Sequence, residues 1–119
     1  MVYVRKAPKG FGRMAQIEGT FEPGSRVLLV EDLATDGGSK INFINALRAA
    51  GASVTDCFVL FHYGIYPASA SSMKEQGVRL HELATWWDVI TEAEVRNYFP
   101  ADKASVVRTY LSDPENWTP

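Results

Sequence analysis

The sequence has little of what stabilises secreted or membrane proteins. It contains one cysteine, Cys57, among 119 residues, so an internal disulfide cannot form. The residues around Cys57 are apolar, which predicts a buried strand position rather than a reactive thiol. No apolar run approaches the roughly 20 residues of a membrane-spanning helix, and the first residues lack the apolar region of a signal peptide. We therefore expect a cytoplasmic protein with no membrane role.

Metal-ligating residues are also scarce. The two histidines, His62 and His81, lie far apart and have no cysteine or acidic partner at the spacing of a metal site. The sequence thus predicts no metal bound by protein side chains alone. With 46% hydrophobic residues, no repeats and no low-complexity tract, residues 1–119 are predicted to form a single domain.

The formal net charge of −2 hides a basic N-terminal segment. The first thirteen residues carry four positive charges and no negative one, and the four are Arg5, Lys6, Lys9 and Arg13. Such a segment is typical of polyanion binding. Because it is short and contains Gly10 and Gly12, it favours a small phosphorylated ligand over nucleic acid. A solvated basic loop is the structural alternative.

The hydrophobic pattern predicts an α/β fold. Residues 26–31, which contain the four apolar residues 27–30 in a row, suit a central strand, and residues 53–61 suit a second strand. Between them, a helix is predicted to begin near Gly38 or Ser39 and to end at Gly51. Strand, helix and strand in this order require a parallel pair with a right-handed crossover.

The remaining elements are predicted from shorter signals. Residues 2–5 read as a strand, and residues 78–83 alternate like a half-exposed edge strand. Helices are predicted over 71–76, 86–98 and 102–111. The Thr91-Glu92-Ala93-Glu94 sequence resembles a capping box and predicts the start of a new helical segment.

The run from Val27 to Ser39 carries the strongest functional signal. Glu31 and Asp32 follow the apolar strand, at the end where α/β sheets bind ligands, and can accept hydrogen bonds from a sugar diol. A hydroxyl- and glycine-rich loop then opens the helix, which suits a phosphate group. The pattern differs from a nucleotide P-loop, because Ser39 stands where that motif has its lysine.

This run resembles the phosphoribosyl-pyrophosphate (PRPP) signature of the type I phosphoribosyltransferases. Residues 3–12, Tyr-Val-Arg-Lys-Ala-Pro-Lys-Gly-Phe-Gly, resemble the strand and mobile catalytic loop of orotate phosphoribosyltransferases. Residues 85–88 and 113–117 are similar to the C-terminus of proteobacterial members of that family. The resemblance therefore runs from Tyr3 to Trp117, over the C-terminal half of the family's sequence only.

The resemblance implies a parallel-sheet, Rossmann-like phosphoribosyltransferase core that is N-terminally truncated. It implies transfer of ribose 5-phosphate from PRPP to orotate, giving orotidine 5-phosphate and pyrophosphate in pyrimidine biosynthesis. Mg²⁺ would be bound through PRPP or pyrophosphate. The implied PRPP-binding residues are Arg5, Lys6, Lys9, Glu31, Asp32, Thr35, Asp36, Gly37, Gly38 and Ser39. Of these, Arg5, Lys6, Lys9 and Asp32 would be catalytic, and Thr35 and Tyr63 would contact orotate.

The departures from the family pattern keep other functions open. The family's front half has no counterpart in the chain, and no arginine lies between Phe61 and Lys74, where many members bind the orotate carboxylate. The alternatives are a catalytically inactive PRPP-binding remnant or one half of a split enzyme. Either a homodimer or a complementing N-terminal polypeptide is expected as partner, and nucleic acid is not.

Overall fold

The computed structural model of the chain describes residues 1–6 and 16–118. The described residues form five strands and four helices. In chain order these are β1 (Tyr3–Val4), β2 (Ile17–Glu18), β3 (Arg26–Ala34), α1 (Gly38–Ala49), β4 (Ser53–His62), α2 (Pro67–Glu75), β5 (Arg79–Thr85), α3 (Trp86–Val95) and α4 (Ala101–Ser112).

A parallel three-stranded sheet in the order β3-β4-β5 forms the centre of the fold. The predicted parallel pairing of β3 with β4 is confirmed, and so is the edge position of β5. The prediction that β3 is central was wrong: among the described residues it is the other edge strand, because β4 pairs with β5 on its far side. β1 and β2 form a separate antiparallel pair, and Ile17 of β2 belongs to the same core cluster as Leu29 of β3.

Strand β3 is also longer than its sequence indicates. It continues three residues past Glu31, because its pairing with β4 persists through Leu33 opposite Phe61 and Ala34 opposite His62. The two acidic residues therefore lie inside the strand near its carboxyl end rather than just after it.

Helix α1 covers one face of the sheet. Its buried side chains Phe43, Ile44 and Leu47 belong to the same core cluster as Leu29 and Cys57 of the strands. The chain leaves the helix through Gly51, which has a φ of 96°. Only glycine adopts this left-handed conformation without strain, so the predicted stop signal at Gly51 is confirmed.

The opposite face of the sheet is open in the described part of the chain. Four large apolar side chains on it are exposed to solvent, and these are Leu28, Val30, Leu60 and Leu83. The radius of gyration is 17.8 Å, whereas a compact domain of this length has about 13.5 Å. The described residues therefore leave one sheet face uncovered, and the molecule is less compact than a typical domain of this length.

A second, smaller core lies under α3 and α4. It is built from Ile65, Ile90, Ala104 and Leu111, and two tryptophans, Trp86 and Trp87, pack against it. Both tryptophans thus contribute to the packing of this second core.

Two sequence-based helix starts were wrong. The capping box forms at Thr85 and Asp88 and begins α3, whereas Thr91 lies inside that helix and its hydroxyl accepts a 3.2 Å hydrogen bond from Arg108. Helix α2 begins at Pro67, four residues earlier than predicted, because proline fits the first helical turn.

None of the helices in residues 1–6 and 16–118 has both the length and the apolar character needed to cross a membrane.

Candidate functional site

The candidate site lies where β3 and β4 end side by side. The backbone N–H of Tyr63 donates a 2.9 Å hydrogen bond to the carbonyl of Ala34, which ties the segments after the two strands together. Thr35 follows Ala34 directly. Thr35 and Tyr63, the two residues predicted to contact orotate, therefore lie next to each other at the carboxyl ends of β3 and β4.

A cleft of about 1150 Å³ runs along the free edge of β3. Five of the predicted site residues line it, namely Lys6, Glu31, Asp32, Thr35 and Ser39. The cleft thus brings a cation from the N-terminal segment to the same opening as both acids and two hydroxyls. Arg5, Asp36, Gly37, Gly38 and Tyr63 lie outside its lining, and Lys9 lies outside the described residues.

Glu31 and Asp32 point to opposite sides of β3, because successive strand residues alternate. The Glu31 carboxylate turns toward α1 and forms an ion pair with the Lys40 ammonium group. The Asp32 side chain is exposed in the cleft. The two acids, which look equivalent in the sequence, therefore differ in charge environment.

Lys40 is the site residue that the sequence analysis missed. It is only 5% exposed, although it carries a charge, and it lines the same cleft as Glu31. The signal was present in the sequence, because Lys40 stands in the first turn of α1, where the helix dipole favours anions over cations. A cation at that unfavourable position indicates that the charge of Lys40 serves its ion pair with Glu31 rather than the helix.

The loop from Thr35 to Ser39 is shaped as a helix N-terminus. Gly37 has a φ of 86°, and a β-carbon there would lie 3.4 Å from the backbone oxygen of Ser69 on α2. The Asp36 carboxylate accepts a 3.1 Å hydrogen bond from the backbone N–H of Gly38. An anionic group already occupies one donor of the helix start, which shows that this end attracts negative charge.

The basic residues of the N-terminal segment differ in their contacts. Arg5 donates a 2.6 Å hydrogen bond from Nε to the Glu18 carboxylate on β2, so its charge is paired. Lys6 is exposed and lines the cleft. Lys6 is therefore better placed than Arg5 to meet an anion in the cleft in this conformation.

Tyr63 belongs to an aromatic cluster that borders the second core. Its ring lies 5.8 Å from Trp86 in an edge-to-face arrangement and stacks on Tyr66 at 6.4 Å. These distances are between ring centroids and are in the range of favourable aromatic pairs. The cluster holds the ring of Tyr63 in place beside the end of β4.

Two buried side chains near the site carry shifted pKa values. Burial raises the pKa of the Cys57 thiol to about 11, with the Glu31 charge adding to the shift. Burial also lowers the pKa of His62, whose Nε2 is 2.8 Å from the Ser69 hydroxyl. Both the Cys57 thiol and the His62 imidazole are therefore neutral near pH 7.

In the described ranges, 1–6 and 16–118, no group of three or more His, Cys, Asp or Glu side chains is arranged to hold a metal ion. The exposed Asp32 carboxylate is the acidic oxygen donor of the cleft that lacks an ion-pair partner among the described residues. A metal at this place would need most of its ligands from a bound molecule.

The chain is similar in sequence to known orotate phosphoribosyltransferases. No protein-family model matches the chain. Among curated proteins, the orotate phosphoribosyltransferase of Dinoroseobacter shibae is 54% identical over 117 residues, which are 98% of this chain and 52% of that protein. The chain is homologous to part of the orotate phosphoribosyltransferases. It spans about half the length of the curated relatives that it matches.

Solved structures agree with the homology to orotate phosphoribosyltransferases. The Aeropyrum pernix orotate phosphoribosyltransferase matches with a TM-score of 0.64 and 34% identity, over 83% of this chain and 52% of that one. Leishmania donovani UMP synthase shows the same fold, with a TM-score of 0.75 at 24% identity over 92% of this chain and 23% of that one.

A third solved structure has PRPP bound. The Mycobacterium tuberculosis orotate phosphoribosyltransferase in complex with PRPP matches with a TM-score of 0.55 and 27% identity, over 61% of this chain and 44% of that one. The expected type I phosphoribosyltransferase fold is thereby confirmed.

Proposed function

We propose that this chain supplies the PRPP-binding half of an orotate phosphoribosyltransferase. The observation that carries the proposal is the cleft along β3, in which Asp32, Thr35, Ser39 and Lys6 face one opening. The reaction breaks the bond between the ribose anomeric carbon and pyrophosphate and forms a bond from that carbon to a ring nitrogen of orotate. Positive charge develops on the sugar in the transition state, and negative charge develops on the leaving group.

The chain's own residues act by position and charge. Asp32 accepts hydrogen bonds from the ribose hydroxyls and lies near the developing positive charge. Glu31, on the other side of the strand, also accepts a hydrogen bond from the ribose. The loop from Thr35 to Ser39 clamps the 5-phosphate through hydroxyls and backbone N–H groups at the start of α1. This fixes the sugar for an in-line exchange of groups at the anomeric carbon.

The basic segment is assigned to the leaving group. Lys6, Arg5 and Lys9 would neutralise pyrophosphate, and Arg5 would exchange Glu18 for the phosphate oxygens as it does so. Thr35 and Tyr63, at the ends of neighbouring strands, would border the orotate ring. In any active form, we expect Lys9→Ala to abolish turnover and leave the fold intact.

The donor set of the cleft fits magnesium bound through PRPP. Magnesium prefers phosphate oxygens and retained water with only one or two carboxylates, and Asp32 offers one exposed carboxylate. When bound, the ion would neutralise charge on the pyrophosphate and so make it a better leaving group.

The open side of the sheet is assigned to the part of the relatives that this chain does not match. Parallel sheets are covered on both faces, yet Leu28, Val30, Leu60 and Leu83 are exposed on one face. The outer edge of β3 also lacks a neighbour among the described strands. Since the chain spans 52% of the Dinoroseobacter relative, a segment of about equal length is the occupant that fits both surfaces.

A reconstitution experiment tests the proposal. The purified chain is mixed with the part of the Dinoroseobacter relative that it does not match, and the consumption of orotate is followed with PRPP and Mg²⁺. We expect turnover only in the mixture. Asp32→Asn should lower it about a hundredfold or more, because a group that contacts developing charge is lost. Asp102→Asn, an exposed carboxylate on α4, is the matched control and should leave turnover unchanged.

The second candidate is a PRPP-binding domain without turnover. It is favoured by the open cleft and by the exposed sheet face, which leave the site without walls on one side. Calorimetry separates the two: Mg²⁺-dependent PRPP binding by the mixture with no orotate consumption supports the second candidate. Absence of PRPP binding contradicts both, and association of the chain only with itself replaces the proposed partner by a second copy.

A further inference from the structure

Lys40 occupies an unusual position for a charged residue. Its side chain is buried against the sheet, and its ammonium group contacts the Glu31 carboxylate and lies 3.3 Å from the Ser39 hydroxyl. Glu31 and Ser39 are both predicted ligands of PRPP, one at the ribose end and one at the phosphate end. The amine therefore sits between the two parts of the candidate site.

The surroundings of Lys40 do not favour a cation for stability alone. It stands at the third position of α1, and the first turn of this helix contains no acidic residue to offset the dipole. Burial of an ion pair also removes both charges from water, and this penalty is often as large as the attraction between them. An arrangement of this kind is typical of a site that needs a fixed charge.

The ligand explains why that charge is useful. PRPP is a polyanion, and two adjacent free carboxylates at its ribose would repel it. Lys40 neutralises Glu31 and holds its carboxylate in one orientation, so that Asp32 is the acid of the pair without an ion-pair partner among the described residues.

We propose that Lys40 is a positioning residue for PRPP, which acts by fixing and neutralising Glu31. This inference rests on the proposed function, because it assigns Glu31 to the ribose. Lys40 itself does not contact the reacting atoms.

The test is a double-mutant cycle in PRPP affinity. Calorimetry is done with Mg²⁺ on the chain mixed with the unmatched part of the relative. We expect Lys40→Met to weaken PRPP binding at least tenfold and Lys40→Arg to restore part of the loss. In a Glu31→Gln background, Lys40→Met should change the affinity less than twofold, since the partner of the amine is already neutral. If Lys40 only contributed packing that is independent of Glu31, Lys40→Met would still weaken PRPP binding in the Glu31→Gln background.

Lys103→Met is the matched control. Lys103 occupies the same third position of its helix, α4, but its side chain is 73% exposed and its nearest carboxylate, on Asp102, is 4.0 Å away. PRPP affinity should stay unchanged in this variant. If Lys40→Met does not fold, the pair Glu31→Gln and Glu31→Gln/Lys40→Met still decides, because the new amide oxygen can accept a hydrogen bond from the Lys40 ammonium group and the double variant removes both charges.

The outcomes separate this inference from the proposed function. PRPP binding by the unsubstituted mixture with equal affinity in Lys40→Met overturns the role of Lys40 and leaves the function standing. A further tenfold loss on adding Lys40→Met to Glu31→Gln also overturns it, because the amine would then act on the ligand directly. No PRPP binding by the unsubstituted mixture overturns the proposed function and this inference together.

Discussion

The two faces of the parallel sheet are built from the same strands but have different surroundings. Leu28 and Leu29 are neighbours on β3, yet Leu28 is 53% exposed and Leu29 is 7% exposed. On the face of Leu29, α1 and Met73 of α2 complete a core, whereas on the face of Leu28 the described chain provides no layer. The difference shows that α1 and α2 cover one face of the sheet, whereas the other face has no covering layer among the described residues.

The largest effect is expected from truncating adjacent leucines. Leu29→Ala should lower the free energy of unfolding by about 2–5 kcal/mol, because it leaves a cavity in the core. Leu28→Ala should change it by only about 0.5 kcal/mol, because its side chain is already largely in water. Urea denaturation of both variants measures the difference. Similar losses in the two variants would mean that a second copy of the chain covers the open face in solution.

Thiol modification probes the same contrast through chemistry. The Cys57 thiol, on the covered face, has a pKa raised to about 11 by burial, so its thiolate fraction at pH 8 is roughly a hundredfold below that of a free cysteine. We expect iodoacetamide to leave Cys57 unmodified in the folded chain. A Leu28→Cys substitution in a Cys57→Ala background should react at close to the rate of a free thiol. Rapid modification of native Cys57 would contradict the buried placement.

A charge on the open face should block association and spare the fold. Leu60 lies exposed on the central strand β4, so Leu60→Lys places an ammonium group in the middle of the proposed contact surface. Burial of an unpaired charge is costly, and we expect binding of the complementary segment to weaken at least tenfold. Circular dichroism and analytical ultracentrifugation check both parts. Val106→Lys, at an exposed position on α4, is the control outside that face.

The smallest effect concerns pH. His62 is buried against Ser69, and burial lowers its pKa below the usual 6.5. Protonation is then easier in the unfolded state, so this group's contribution is present above about pH 6.5 and is lost as pH falls toward the depressed value. His62→Gln should flatten the decline of the denaturation midpoint between pH 7.5 and 5.5. An equally steep decline in the variant would count against this assignment.

Much of the fold could be predicted from local patterns. The hydrophobic periodicity predicts β3, the amphipathic helix α1 and β4, with Gly51 as the end of the helix. A strand, helix and strand in this order form a parallel pair with a right-handed crossover. Element ends were less predictable. β3 extends to Ala34 because β4 runs beside it, and the capping box formed at Thr85 rather than Thr91 because α3 begins directly at the end of β5.

The candidate site was predictable as a motif but not as an arrangement of charges. The acids and the glycine loop are adjacent in sequence, the basic segment lies well before them, and the cleft brings Lys6, Asp32, Thr35 and Ser39 to one opening. The pairing of Arg5 with Glu18 was not visible in the sequence, because it joins residues 13 positions apart across the β1–β2 pair.

By itself, the sequence determined the order of the elements and the parallel sheet, and it predicted which residues meet a sugar phosphate, because periodicity and residue chemistry are local properties. Only the tertiary structure decided that Glu31 is paired with Lys40 while Asp32 has no ion-pair partner among the described residues, and that one sheet face has no cover from those residues. Strand alternation sends neighbouring acids to different sides, and what each meets there depends on how a helix packs on the sheet.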